Sequence, residues 1–221
     1  VVSYIPSFSP STLGSVELWF DASDINADGV TDSNFSNGDA LTSWIDKSPY
    51  NEQMVIWDNP SRSTHNGLGV VYYDGNDATY TNTDWAGREF TMISVSRYTV
   101  LDNTFNQRVI SDRSRNWLLG YHSGNMNKWF LGGWVTDINN GKDTKFHIHA
   151  VTMNKNVKAN TFFDGSRVGN ANAGGADANG YWPQKIQFGG WKNSSEYSRC
   201  EVAEFIAFDR VLGDTQRYDL E

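Results

Sequence analysis

The chain has 221 residues, of which 38% are hydrophobic and 14% aromatic, enough apolar material for a globular core and incompatible with a disordered chain. Its 18 lysines and arginines face 26 aspartates and glutamates, a formal charge of −8 that repels polyanions and argues against nucleic acid as a partner. No apolar run reaches the roughly 18 residues of a membrane span, and Val1-Val2-Ser3-Tyr4 lacks the features of a secretory signal, so membrane insertion is not expected. A start without Met suggests a processed or excised piece of a larger protein. All-β sandwiches often reach about 200–250 residues as one unit, so one domain over 1–221 is expected.

In chain order, short segments rich in β-branched and aromatic residues alternate with period two between clusters of Gly, Asn, Asp and Ser. Strands are predicted at Val16–Phe20, Gln53–Trp57, Gly69–Tyr73, Phe90–Tyr98, Arg108–Ser111, Trp117–Tyr121, Lys128–Trp134, Lys145–Met153, Thr161–Phe163, Lys185–Gly189 and Glu201–Phe208. That many strands call for two antiparallel sheets packed as an all-β sandwich. The stretch Gly169–Gly180 is low in complexity and reads as one long loop, and the tail Gly213–Leu220 is the one predicted helix, with Asp214 as its cap. The single cysteine, Cys200, rules out an internal disulfide and is expected to pack as a small hydrophobe.

Five segments resemble, in order, the laminin-G-like domains of the concanavalin A-like lectin/glucanase superfamily. Leu18-Trp19-Phe20-Asp21-Ala22-Ser23-Asp24 followed by Trp44-Ile45-Asp46-Lys47-Ser48 is similar to that family's opening pattern. Tyr73-Asp74-Gly75 resembles its "F-D-G" turn, and Phe90-Thr91-Met92-Ile93-Ser94-Val95 its "F-T-hydrophobic" strand. Phe163-Asp164-Gly165 and the stretch Glu201–Leu212 resemble its closing segments. The resemblance implies a concanavalin A-like jelly-roll sandwich with adjacent terminal strands, a short C-terminal helix, and rim loops that carry ligands and often calcium.

Asp24-Ile25-Asn26-Ala27-Asp28-Gly29-Val30-Thr31-Asp32 spells D-x-N-x-D-G-x-x-D. Oxygen-bearing side chains at alternate positions, with Gly sixth, suit a calcium ion, which takes about 6–8 oxygen ligands. Asp24, Asn26, Asp28 and Asp32 are therefore the expected metal ligands, with Asp21 and Asp46 as further candidates. The competing reading is that these side chains only bond their own backbone in turns. Phe35 stands where an EF-hand would place its glutamate, so the loop is not of that type.

Nine tryptophans, ten tyrosines and twelve phenylalanines exceed the needs of such a core, so some are expected at the surface. Indole and phenol rings stack on the C–H face of a pyranose while neighbouring polar groups bond its hydroxyls. The candidates are Trp85, Trp117, Tyr121, Trp129, Trp134, Trp182 and Trp191, whereas Trp19 and Trp44 are assigned to packing. Within Lys128-Trp129-Phe130-Leu131-Gly132-Gly133-Trp134, alternation puts Trp129 and Trp134 on opposite sides unless the glycine pair makes a bulge, so one of the two is expected to face a ligand.

A retaining glycosidase needs two carboxylates about 5.5 Å apart, and the chain lacks the E-x-D-x-E strand that supplies them. Glu201 and Glu204, three apart, point to opposite faces. His147 and His149 share a strand face and could form a metal or catalytic pair, but surface hydrogen bonding is the commoner use. Asn34-Phe35-Ser36 and Asn193-Ser194-Ser195 are possible glycosylation triplets. The sequence thus points to a non-catalytic, calcium-stabilised carbohydrate-binding adhesion module outside the cell or on a particle surface. A structural or assembly domain that uses the fold for contacts with other protein subunits is the alternative, and a polysaccharide hydrolase or lyase a weaker one.

Overall fold

The computed structural model describes residues 9–85, 89–101, 106–122, 125–135, 143–154, 159–170, 183–192 and 195–221. In chain order they form β1 (Val16–Asp21), β2 (Val55–Trp57), β3 (Ser61–His65), β4 (Leu68–Asp74), β5 (Ala78–Tyr80), β6 (Phe90–Tyr98), β7 (Gln107–Asp112), β8 (Trp117–His122), β9 (Asn125–Leu131), β10 (His147–Met153), β11 (Asn160–Phe163), β12 (Ser166–Asn170), β13 (Ile186–Phe188), β14 (Arg199–Phe208) and the helix α1 (Asp214–Leu220). A 3₁₀ turn, Pro10–Leu13, precedes β1. No described helix is long and apolar enough to cross a membrane.

Two antiparallel sheets result. The larger has the order β12-β11-β10-β6-β14-β4-β3, with β1 also on β14; the smaller runs β2-β5-β13-β7-β8-β9. Strand β14 joins the two ends of the chain: Arg199–Val202 pair with β4, and Glu204–Phe208 pair with β1. A register shift against β6 lies between Val202 and Glu204, where one partner gives way to the other.

Alternation decides which face each strand buries. In β1, Val16, Leu18 and Phe20 are buried while Glu17, Trp19 and Asp21 are half-exposed, the period-two pattern of a sheet with one covered face. The core between the sheets centres on edge-to-face and tilted rings. Phe20 meets Trp44 at 5.6 Å, Trp44 meets Phe188 at 5.5 Å, and Phe188 meets Phe205 at 5.3 Å. Such pairs each add about 0.5–1.5 kcal/mol beyond the area they bury. Trp117 stacks on Trp129 at 6.1 Å, from neighbouring strands of the small sheet. Cys200 is buried, and burial pushes its thiol well above the ordinary range.

The structure adds three strands to those expected. Strand β3 (Ser-Arg-Ser-Thr-His) has no apolar alternation because it lies at a sheet edge, β5 has three residues, and β12 (Ser-Arg-Val-Gly-Asn) is polar and also an edge. At the tail, Gly213 and not Asp214 is the residue before the helix, and its N–H donates to Gln216 Oε1 at 3.3 Å. The expected long loop Gly169–Gly180 lies outside the described residues from position 171 onward.

Asp77 sits buried in the β4–β5 turn, where its carboxylate accepts the N–H of Asp74 at 3.0 Å. Burial, reinforced by the nearby Asp74 charge, raises its pKa to about 7. Because the folded pKa lies above the unfolded one, this group's stabilising contribution is full below about pH 4 and lost as pH rises through 7. Asp77→Asn should therefore melt close to the wild type at pH 4 and several degrees above it at pH 8. A gap that is independent of pH, measured by thermal unfolding, would contradict this.

Candidate functional site

The acidic loop folds as a set of turns held by the protein's own donors. Gly29 has φ of +84°, the left-handed conformation that its place requires. Asp24 is almost fully buried: Oδ1 accepts the N–H of Asp28 at 3.1 Å, and Oδ2 accepts that of Gly29 at 3.0 Å. Lys47 Nζ lies 2.8 Å from Asp24 and 3.0 Å from Asp21, and its ammonium also sits 4.6 Å from the Trp19 ring centroid. Asp28 accepts from the Val30 N–H and from the Asn26 side-chain amide. Asp32 accepts from the Ile25 N–H and the Arg62 guanidinium at 3.0 Å. Asp46 is buried and holds the N–H groups of Trp19 and Ser48.

As arranged, Asp24, Asn26, Asp28 and Asp32 do not fit a calcium ion. The ammonium of Lys47 and the guanidinium of Arg62 supply the positive charge that a divalent ion would bring. No group of three or more His, Cys, Asp or Glu among the described residues is placed to hold a metal. The side-chain turns of the alternative reading are present in the loop.

Burial sorts the aromatic candidates. Trp117 and Trp129 are fully enclosed and offer no face to a ligand, whereas Trp85, only 6% exposed and packed 5.5 Å from Phe90, borders a cavity of about 330 Å³ with Glu17, Tyr50 and Glu52. The surplus of rings is largely taken up by the core, as the Trp117–Trp129 stack shows. Trp182 lies outside the described residues, as does the side chain of Tyr121. Trp134 and Trp191 are half-buried on the outer face of the small sheet and its covering loop.

That face is built as follows. Strand β9 ends at Leu131, and Gly132, with φ of +75°, turns the chain back so that Trp134 pairs across from Phe130. Their rings meet edge to face at 5.3 Å, while Trp129 points into the core. On β7 and β8, Arg108, Leu118 and His122 lie on the same outer side; with Asn116, Phe130 and Trp134 they line a cavity of about 250 Å³. Arg108 is buried yet charged. Its Nε donates to Glu196 Oε2, Nη1 to the Trp117 carbonyl at 3.3 Å and Nη2 to Asn116 Oδ1 at 3.1 Å, and Trp191 stacks 3.9 Å from the guanidinium carbon. Burial lowers the guanidinium pKa from its usual value, and Glu196 offsets that. His122 lies 3.4 Å from the other Glu196 oxygen.

The charge on this flank is opposite to that of the chain. Residues 106–135 and 183–199 hold seven lysines and arginines against Asp112 and Glu196, whereas the first 85 residues hold twelve acids against Lys47 and Arg62. Asp112 is buried and spent on the N–H groups of Ser114, Arg115, Gln184 and Lys185. A half-exposed aromatic pair over a floor of arginine, amide and imidazole can stack on a ring and bond its substituents. Of these residues only Trp134 and Trp191 were legible in the sequence; Arg108 and Glu196 meet across 88 positions, with no local signal.

The carboxylate and histidine candidates are engaged elsewhere. Glu201 pairs with Arg97 at 2.6 Å, and Glu204 accepts the Trp19 indole N–H at 2.8 Å. His147 bridges Asp164 at 2.8 Å and Asp143 at 3.0 Å; His149 is buried against Phe163, and burial pulls its pKa to about 3.

No family model and no curated protein matches the sequence. Solved structures do match in fold. The binding domain of botulinum neurotoxin DC, in complex with rat synaptotagmin II, has a TM-score of 0.60 at 14% identity, covering 93% of this chain and 51% of that one. The botulinum neurotoxin serotype D ligand-binding domain, in complex with N-acetylneuraminic acid, has a TM-score of 0.59 at 15% identity, covering 93% and 50%. The binding domain of Paraclostridial Mosquitocidal Protein 1 has a TM-score of 0.58 at 12% identity, covering 84% and 51%. The chain thus spans about half the length of these domains, and at such identities the likeness is one of fold: a β-sandwich shared with binding domains.

With the loop held by Lys47, calcium added after chelation should leave the melting temperature unchanged. Lys47→Met should lower it by roughly 5 °C or more, because it strands the buried Asp24 charge. A calcium-dependent rise in the wild type would show that the loop rearranges into an ion site.

Proposed function

We propose that this chain is a non-catalytic carbohydrate-binding module of the laminin-G-like, concanavalin A-like type, acting outside the cell or on a particle surface. The observation that carries the reading is the cavity under Trp134 and Phe130, where an aromatic face adjoins Arg108, Asn116 and His122. A pyranose ring laid on the indole would bury its C–H face, and its hydroxyls would meet the amide of Asn116 and the imidazole of His122. The floor is preorganised, since Arg108 is fixed by Glu196, Asn116 and Trp191, so little side-chain entropy remains to be lost on binding. The engaged state of Glu201, Glu204 and His147 supports binding over cleavage. The structural neighbours are binding domains, one of them in complex with a sugar acid, which accords with a glycan partner; another is in complex with a protein, which keeps contact with other subunits as the second reading.

A glycan array, with affinity electrophoresis on algal and bacterial polysaccharides, tests the proposal. Retention on at least one glycan is expected, and Trp134→Ala should weaken it by about tenfold or more while moving the melting temperature little. Trp117→Ala should instead unfold the protein at lower temperature, a cavity cost of about 3–5 kcal/mol. Absence of retention on every glycan, with a defined oligomer in solution, would favour the protein-contact reading.

A further inference from the structure

The outer face of the small sheet carries a positive charge that the protein leaves unmatched. Strand register sets three positions in a row beside the Trp134 cavity: Arg108 on β7 lies opposite Gly120 on β8, and Gly120 opposite Lys128 on β9. His122 and Phe130, the next residues but one along β8 and β9, line the cavity, so the row and the cavity share one face. A Cβ at Gly120 would stand 2.6 Å from the Gln107 carbonyl oxygen, so the place between the two cations stays bare.

The two cations differ in what meets them. Arg108 is matched by Glu196. Lys128 is 7% exposed, its ammonium donates to the neutral Asn125 Oδ1 at 3.3 Å, and it has no ion-pair partner among the described residues. Asn125 lies opposite His122, so the ammonium ends beside the His122 edge of the cavity. A buried charge without a counter-charge costs free energy that an opposite charge from outside would recover. The acceptors around the cavity are already in use: Glu196 faces Arg108 and His122, and Asn116 Oδ1 takes the Arg108 Nη2 proton, which leaves Asn116 its Nδ2 donor. Donors and positive charge without a spare acceptor suit a group that only accepts and is itself negative.

We propose that the sugar unit stacked on Trp134 carries an anionic substituent, a carboxylate or a sulfate ester, seated over Gly120 between His122 and Lys128. This rests on the glycan reading of the Trp134 cavity and deepens it: the ligand class is acidic polysaccharide. The indole supplies a contact that any pyranose can use. The ammonium supplies discrimination, because an anion gains from Lys128 what a neutral hydroxyl cannot.

The test uses the intact chain and an array holding neutral glycans, oligogalacturonates and carrageenan oligosaccharides. Each retained glycan is then titrated calorimetrically beside a form with only its charge masked, a methyl ester for a uronate and a desulfated chain for a sulfate ester. These two arms tell carboxylate from sulfate. Retention should fall on acidic glycans, and masking should weaken binding about tenfold or more. Lys128→Met, which keeps the stem, should cause the same loss on the charged form, leave the masked form unchanged and melt no lower than the wild type. Arg199→Gln removes an equal charge from a separate cavity of about 500 Å³, which lies on the other side of Glu196 and is lined also by Gln107 and Tyr197; it should leave binding unchanged. Retention confined to neutral glycans, or an equal loss in both variants, would overturn the inference and leave the glycan reading standing. So would a lower melting temperature for Lys128→Met, which would assign the ammonium to the fold. Absence of retention on every glycan would overturn both.

Discussion

The outer face of the small sheet depends on the buried pair Arg108–Glu196. A guanidinium placed against a sheet with almost no solvent access needs a counter-charge, and removing one partner of such a pair costs about 3–5 kcal/mol. Glu196 meets that need from a loop, in a left-handed backbone conformation with φ of +56°. The Arg108 N–H also donates to the Glu196 carbonyl at 3.0 Å, so main chain and side chain anchor the loop at the same place. That anchor sets Trp191 on the guanidinium, brings Tyr197 and Arg199 beside Gln107, and divides the polar space into two cavities. Replacing both charges with apolar side chains could leave the fold equally stable; the ion pair is better explained by what it positions.

A second cationic device holds the opposite, acidic part of the molecule. Lys47 reaches two aspartates of the β1 end and the loop that follows, and its ammonium lies over Trp19, whose indole is in turn bonded to Glu204 on β14. The chain of contacts ties the first strand, the acidic loop and the last strand together through the protein's own side chains. At a loop with the spacing of a cation site, the positive charge is supplied by the protein's own Lys47 and Arg62.

Much of the fold is legible in the sequence because burial on one side of a strand imprints period two on it. Val16, Leu18 and Phe20 declare β1, and the nine residues Phe90–Tyr98 declare β6 with the boundaries observed. Strands β3 and β12 are silent because edge strands need not bury a face, and β5 is too short to show a period. The site is less legible for a different reason. Tryptophan count does not distinguish a ring in the core from one at the surface: Trp117 is enclosed, Trp85 keeps only 6% exposure at the edge of a cavity, and Trp134 is half-buried where Gly132 turns the chain. The acidic loop misleads because its spacing is local, while Lys47 and Arg62, which neutralise it, come from 23 and 30 positions away from Asp24 and Asp32. Gln107, Arg108 and Glu196 carry no pattern at all until the topology brings them together.

The central claim is that ligand contact falls on the Trp134 and Trp191 side of the small sheet. The indole N–H region of a ¹H–¹⁵N spectrum reads this directly, because each of the nine tryptophans gives its own signal. Titration with a retained oligosaccharide should move the signals of Trp134 and Trp191 and leave those of Trp44, Trp117 and Trp129 in place. Movement confined to Trp19, beside the acidic loop, would place the ligand on the opposite part of the molecule and contradict the account.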